Sequence, residues 1–209
     1  MKIGGLLLIM IAWLAAASPS PPRFAGSVSP VTRSDLPYSY RPGCPVTPAQ
    51  LRLVRVSHWG FDGKARVGSV VVRSDVARDI VAVFRRLYAA RFPIRRLRTI
   101  DAYKGSDAAS SAADNTAAFN CRYAIAPGPK RWSAHAYGLA IDVNPVENPY
   151  LDRGLVRPPA GRRYLNRSRV RPGMAVPGGV LVRAFAALGW SWGGRWASAD
   201  YQHFSATGG

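Results

Sequence analysis

The stretch SAHAYGLAID, Ser133–Asp142, sets one of only three histidines seven residues before an aspartate, with a glycine between them. Its tail LAID alternates, so a strand there turns Ala140 and Asp142 to one face and Leu139 and Ile141 to the other. Gly138 permits a tight turn or bulge ahead of that strand, which lets His135 sit on the adjacent segment near the Asp142 carboxylate. One His beside one Asp fits an ordinary hydrogen-bonded pair as well as it fits part of a metal site. A third ligand is needed to decide.

The other histidines are His58 and His203. His58, between Ser57 and Trp59, reads as a structural or surface residue. His203 lies in ADYQHF, with Asp200 three residues before it and an aromatic cluster upstream. Two histidines and one carboxylate with an open fourth position match the ligand set of a catalytic zinc centre. Asp200 is then available as general base on a water whose pKa such a metal lowers to about 7.

The rest of the chain bounds this reading. With 209 residues, 48% of them hydrophobic, it can bury the core of one domain with appendages. It carries 29 Lys and Arg against 11 Asp and Glu, a net charge of +18 that attracts polyanions. The basic residues fall in scattered pairs (Arg85/Arg86, Arg95/Arg96, Arg162/Arg163) without a recognisable reader motif, so nucleic acid is not the expected partner. MKIGGLLLIMIAWLAAASPSPP has a lysine, an apolar core and small residues up to Ala17, the layout of a secretory signal peptide over residues 1–17. An uncleaved N-terminal anchor is the alternative, and either places the body outside the cytoplasm. Two cysteines in an exported chain, Cys44 and Cys121, are expected to form a disulfide.

Along the chain, residues 18–42 are rich in Pro and Ser and read as a linker, with the domain spanning 43–209. SDVARDIVAVFRRLYAARFP reads as a helix: Ser74 is its N-cap, Val76, Ile80, Val83, Phe84, Leu87 and Tyr88 form its apolar stripe, and Pro93 ends it. RVGSVVVR (66–73) and RRLRTIDAY (95–103) read as strands on either side, and AAFNCRYAI as a further strand carrying Cys121 and Arg122. KGSDAASSAADN (104–115) reads as a loop, residues 143–173 as a long surface excursion in which Asn144 and Asn148 shape turns or the cleft, and GGVLVRAFAAL (178–188) as a second helix. Trp190, Trp192 and Trp196 alternate as a buried strand and turn. Mixed rather than regularly alternating elements favour an α+β fold, one domain with a small antiparallel sheet flanked by helices.

Ser133, His135, Gly138, Ala140 and Asp142, followed by an acidic residue three before a final His-Phe, resemble the zinc D-alanyl-D-alanine carboxypeptidase family, which includes L-alanyl-D-glutamate endopeptidases. GCPV, WGFDG, RFPIRR, DNTAAFNCR, NPVENPY and GWSWGGRW are similar to its secreted actinobacterial-type members. The resemblance implies a hedgehog-type peptidase fold, Zn2+ held by His135, Asp142 and His203, Asp200 as general base, and an arginine that binds substrate or polarises the scissile carbonyl, matched here by Arg122. Where many relatives carry Glu-x-Trp-His this chain has Asp200, Tyr201, Gln202 and His203, a base one methylene shorter. Ser133 has no glycine elbow or Ser-His-Asp order of a nucleophile, and a hydrogen-bonding, substrate-side role is expected of it.

The expected activity is metal-assisted hydrolysis of peptide bonds in the stem peptides of peptidoglycan by a monomer. Its positive surface would add nonspecific attraction to anionic wall polymers. A non-catalytic wall- or polyanion-binding module that keeps the peptidase fold is the competing expectation.

Overall fold

The computed structural model describes residues 22–125 and 129–208, so the expected signal peptide lies outside the described residues. Two nine-residue strands, β2 (Leu51–Trp59) and β3 (Ala65–Arg73), form an antiparallel hairpin closed by the turn at Phe61–Lys64. β1 (Gly26–Pro30) adds to the other edge of β2, giving the order β1-β2-β3. Gly68 in β3 is required by close approach, because a Cβ there would lie 2.4 Å from the Leu97 Cβ.

The helix α1 (Ala77–Ala89) packs on this sheet. Its buried residues Ala77, Ile80, Val83, Phe84, Leu87 and Tyr88 repeat at three- and four-residue intervals, so one face meets Val54, Val56, Val70 and Val72. The helix starts three residues after Ser74, behind Val76, and ends where Arg91 takes a left-handed φ of 51°. The same core continues into α3 (Val180–Ala186) and a second sheet of order β6-β10-β9, formed by Ala140–Asp142, His203–Ser205 and Ser191–Trp192. Ile141, Phe185 and Phe204 are each essentially inaccessible at that junction. The α+β reading therefore stands, with helices and small antiparallel sheets sharing one core.

Several local readings are corrected. The segment after residue 22 is not a linker: β1 pairs along its length with β2, and Val31 and Leu36 are buried in a second cluster on the far face of the sheet with Leu51, Val71 and Phe119. Alternation is weak in GSVSP because all five residues of β1 are exposed. The expected strand over 95–103 shrinks to β4 (Arg96–Leu97), which pairs in parallel with β5 (Asn115–Thr116) and leads into a 3-10 turn, Ile100–Tyr103. The loop at 104–115 contains a short helix, α2 (Asp107–Ala112), started by the Ser106 hydroxyl accepting from the Ala109 amide. Residues 117–125 form no strand, only isolated bridges from Ala117 to Asp142 and from Tyr123 to Trp132.

The region after Asp142 is a surface excursion only in its later part: residues 143–150 are buried, whereas most of 153–171 is exposed. Asn144, Glu147 and Asn148 are fully buried, and the hairpin of β7 (Tyr150–Asp152) and β8 (Leu155–Arg157) follows them. The Asn148 amide donates to the carbonyls of Val143 and Gly173, and its oxygen accepts from Ala175 and Arg167. Such a segment carries no hydrophobic period because side-chain amides, not apolar packing, fill its interior.

Candidate metal centre

His135 lies on a 3-10 turn, Ala134–Tyr137, whose first amides are met by Ser133: its hydroxyl accepts from the His135 N–H at 3.3 Å. Gly138 ends the turn in the left-handed region at φ 67°, and a Cβ there would lie 2.6 Å from the Arg73 amide nitrogen. Arg73 in turn donates to the Gly138 carbonyl at 3.0 Å, so the turn is docked on the end of β3. The glycine is required both by conformation and by contact with the scaffold.

Strand pairing brings the other two residues to this turn. His203 in β10 stands opposite Asp142 in β6, and Asp142 exchanges two backbone hydrogen bonds with Ala117 on its other side. The neighbouring Ala118 carbonyl accepts from His135 Nδ1 at 2.6 Å. A carbonyl can only accept, so the proton sits on Nδ1 and Nε2 presents a lone pair inward; an outer hydrogen bond of this kind fixes the ring of a metal-ligating histidine.

Three donor sets converge. His135 Nε2 lies 3.3 Å from His203 Nδ1 and 3.2 Å from Asp142 Oδ2, and His203 Nδ1 lies 3.1 Å from Asp142 Oδ1. Metal–ligand bonds of about 2.0–2.1 Å in a tetrahedral centre place neighbouring ligands about 3.3 Å apart, so the spacing fits a metal of that type. His135, Asp142 and His203 could thus hold a metal ion. Burial alone would raise the Asp142 carboxyl, but the two imidazoles beside it hold it well below the usual carboxylate range.

Asp200 sits beside this group, positioned by a backbone bond to the Gly193 carbonyl and a bridge to Tyr150. Its Oδ1 is buried with no hydrogen-bond partner. Burial, with the Asp142 charge adding to it, pushes its carboxyl up to about 7. A buried carboxylate poised near neutrality with an unengaged oxygen is suited to take and return a proton.

These residues line one cleft of about 530 Å³, whose walls also include Asp107, Arg122, Ser133, Tyr150 and Trp196. The volume suits a small-molecule or short-peptide ligand. Arg122 reaches the cleft from the residue after Cys121, which is disulfide-bonded to Cys44, as expected from the sequence. Its guanidinium forms an ion pair through Nε with Asp107 and donates from Nη1 to the Tyr123 carbonyl. Ser133 lines the cleft, but its hydroxyl is engaged by the turn it caps. His58 stays apart on β2, buried and facing its own neighbour's carbonyl, and burial lowers its pKa. Trp190 and Trp192 are core, whereas Trp196 lies against His203 with ring centroids 5.3 Å apart.

Asp107 is the participant that sequence reasoning missed. It lies in a small polar run whose one usable signal was the Ser106–Asp107 helix start. Among the described residues no helix is long and apolar enough to cross a membrane. No curated protein and no solved structure matches the chain. Residues 127–206, which contain His135, Asp142, Asp200 and His203, match the family model described as D-alanyl-D-alanine carboxypeptidase.

Proposed function

We propose that the protein is a zinc metallopeptidase that hydrolyses peptide bonds in peptidoglycan stem peptides, outside the cytoplasmic membrane. The observation that carries this reading is the tetrahedral-edge spacing of His135, Asp142 and His203 beside the buried, partnerless Asp200 oxygen. A zinc ion held by His135 Nε2, His203 Nδ1 and the Asp142 carboxylate would supply Lewis acidity, polarising a carbonyl and acidifying a water.

The chain's own residues do the rest. Asp200, whose Oδ1 is buried without a hydrogen-bond partner, accepts the proton of the attacking water and delivers it to the departing amine. Arg122, which needs no protonation change, donates to the carbonyl oxygen as charge builds there. Ala118 keeps His135 in the tautomer that offers Nε2 inward. The apolar part of the cleft, with Ala117, Ala118 and Trp196 among its walls, excludes water around the reacting bond. The net charge of +18 adds a long-range attraction to anionic wall polymers, weakened by salt.

Purified muropeptides, incubated with the protein and followed by mass spectrometry with and without a chelator, test the reading. Chelator-sensitive loss of a terminal alanine or a cut deeper in the stem supports it and distinguishes the two cleavage types. A protein that binds one zinc per chain and cuts no stem peptide overturns it in favour of a wall-binding module.

A further inference from the structure

Arg122 is the cationic side chain of the cleft that follows directly on Cys121, and nothing in its own backbone explains why the guanidinium remains available there. Asp200 and Asp142 line the same cleft, and a guanidinium left unrestrained beside two carboxylates would be drawn onto them. Asp107 opposes this. Its Oδ2 forms the ion pair with Arg122 Nε, and its Oδ1 accepts from Asn120 Nδ2 at 2.8 Å. Asn120 is itself fixed: Nδ2 also donates to the Gly105 carbonyl at 3.1 Å, its backbone N–H donates to the His135 carbonyl at 3.2 Å, and its carbonyl accepts from the Arg122 amide at 2.8 Å. The aspartate is therefore tied to the backbone of both Arg122 and His135 through one buried amide.

The guanidinium has five N–H donors in a rigid fork. Asp107 is ion-paired on the Nε side without a hydrogen bond from Nε, Tyr123 accepts one hydrogen of Nη1, and no hydrogen bond to Nη2 is found among the described residues. We propose that Asp107 is a positioning residue: it orients Arg122 so that the Nη2 end meets a carbonyl or carboxylate oxygen of a peptide bound in the cleft, and it keeps Arg122 off the metal-site carboxylates. This deepens the peptidase reading and rests on it.

The test compares Asp107→Asn, Asp107→Glu, Arg122→Ala and the Asp107→Asn/Arg122→Ala double variant on one muropeptide, with zinc affinity measured by chelator competition. Binding of an acylated D-alanyl-D-alanine peptide to the zinc-free proteins is measured alongside. The Asp107–Arg122 contact is a partly exposed ion pair, so Asp107→Asn should lower kcat/KM by about fivefold, through the same parameter, kcat or KM, that Arg122→Ala changes. The double variant should be no worse than Arg122→Ala, Asp107→Glu should recover part of the loss, and zinc affinity should stay within about twofold. Peptide binding to zinc-free protein should weaken in both single variants. Additive losses in the double variant, or a loss of zinc affinity matching the loss of activity, would give Asp107 a merely structural role and overturn the proposal. Wild-type protein that cuts no stem peptide sinks the peptidase reading, whereas active wild type with an indifferent Asp107→Asn sinks this inference alone. If Asp107→Asn does not fold, Asp107→Glu and zinc-free peptide binding by Arg122→Ala still decide: unchanged binding in both overturns it.

Discussion

Between Leu51 and Ala89, two nine-residue strands and a thirteen-residue helix bury Val54, Val56, Val70, Val72, Ile80, Val83, Phe84 and Leu87 against one another. Between Asp114 and Asn148 the buried residues include Asp114, Asn115, Thr116, Asn120, His135, Asn144, Glu147 and Asn148, and the strands are two or three residues long. The first region is held by area removed from water, a force without direction that tolerates any side chain of the right size. The second is held by hydrogen bonds that specify where each backbone segment lies. Chemistry needs ligands placed to a few tenths of an ångström, so the polar region carries the site and the apolar region carries it in turn.

The comparison can be broken by variants that separate stability from activity. Asp200→Ala should have the largest effect on rate, lowering kcat by about 10²–10⁴-fold with zinc still bound, since it removes the proton acceptor and no ligand. Equal activity in a stopped assay of the zinc-loaded variant would remove Asp200 from the mechanism. In the apolar region, Phe84→Ala should cost about 3–5 kcal/mol in denaturant unfolding, because an essentially inaccessible ring leaves a cavity. Its zinc affinity at a temperature where it remains folded should match wild type, and a matching loss would show that the two regions are not separable.

Asn148→Ala sharpens the contrast. It removes four hydrogen bonds from a fully buried turn and should cost about 2–3 kcal/mol, but it should also lower kcat by about tenfold by loosening the segment that leads to Tyr150 and pairs with Asp200. A destabilised variant of unchanged kcat would place that segment with the scaffold.

The smallest effect is a slope with pH. Burial, with the Asp114 carboxylate next to it, pushes Glu147 up to about 7. Its folded pKa lies above the unfolded value near 4.5, so the folded chain keeps a proton that the unfolded chain releases. Stability from this group is greatest below pH 4.5, falls as pH rises towards 7, and is flat above. Glu147→Gln should therefore be neutral or slightly destabilising at pH 4 and gain relative to wild type by pH 8, on the order of 2–3 kcal/mol, in urea unfolding at both values. A pH-independent difference would mean that Arg95, 3.7 Å from Glu147, already keeps the carboxylate ionised.

Legibility follows the same division. The α1 stripe, the strand over 66–73 and the α3 region could be read because apolar periodicity records which face is buried. The start of the segment 143–173 could not, since Asn144, Glu147 and Asn148 look like loop residues until their partners across the fold are known. β1 was hidden for the opposite reason: all five of its residues are exposed at the sheet edge, so burial leaves little apolar alternation there. The candidate ligands were legible because only a few residue types ligate metals and only three histidines were available.

The sequence by itself determined the α+β class, the cysteine pair and the short list of His, Asp and Arg residues able to do chemistry, because composition, periodicity and donor chemistry are local properties. Only the tertiary structure decided that Asp142 lies opposite His203 with Ala117 on its other flank, that Ala118 sets the His135 tautomer, and that Asp107 restrains Arg122. Those are relations across 15 to 61 residues of chain, and hydrogen bonds between such distant segments leave no periodic trace in sequence.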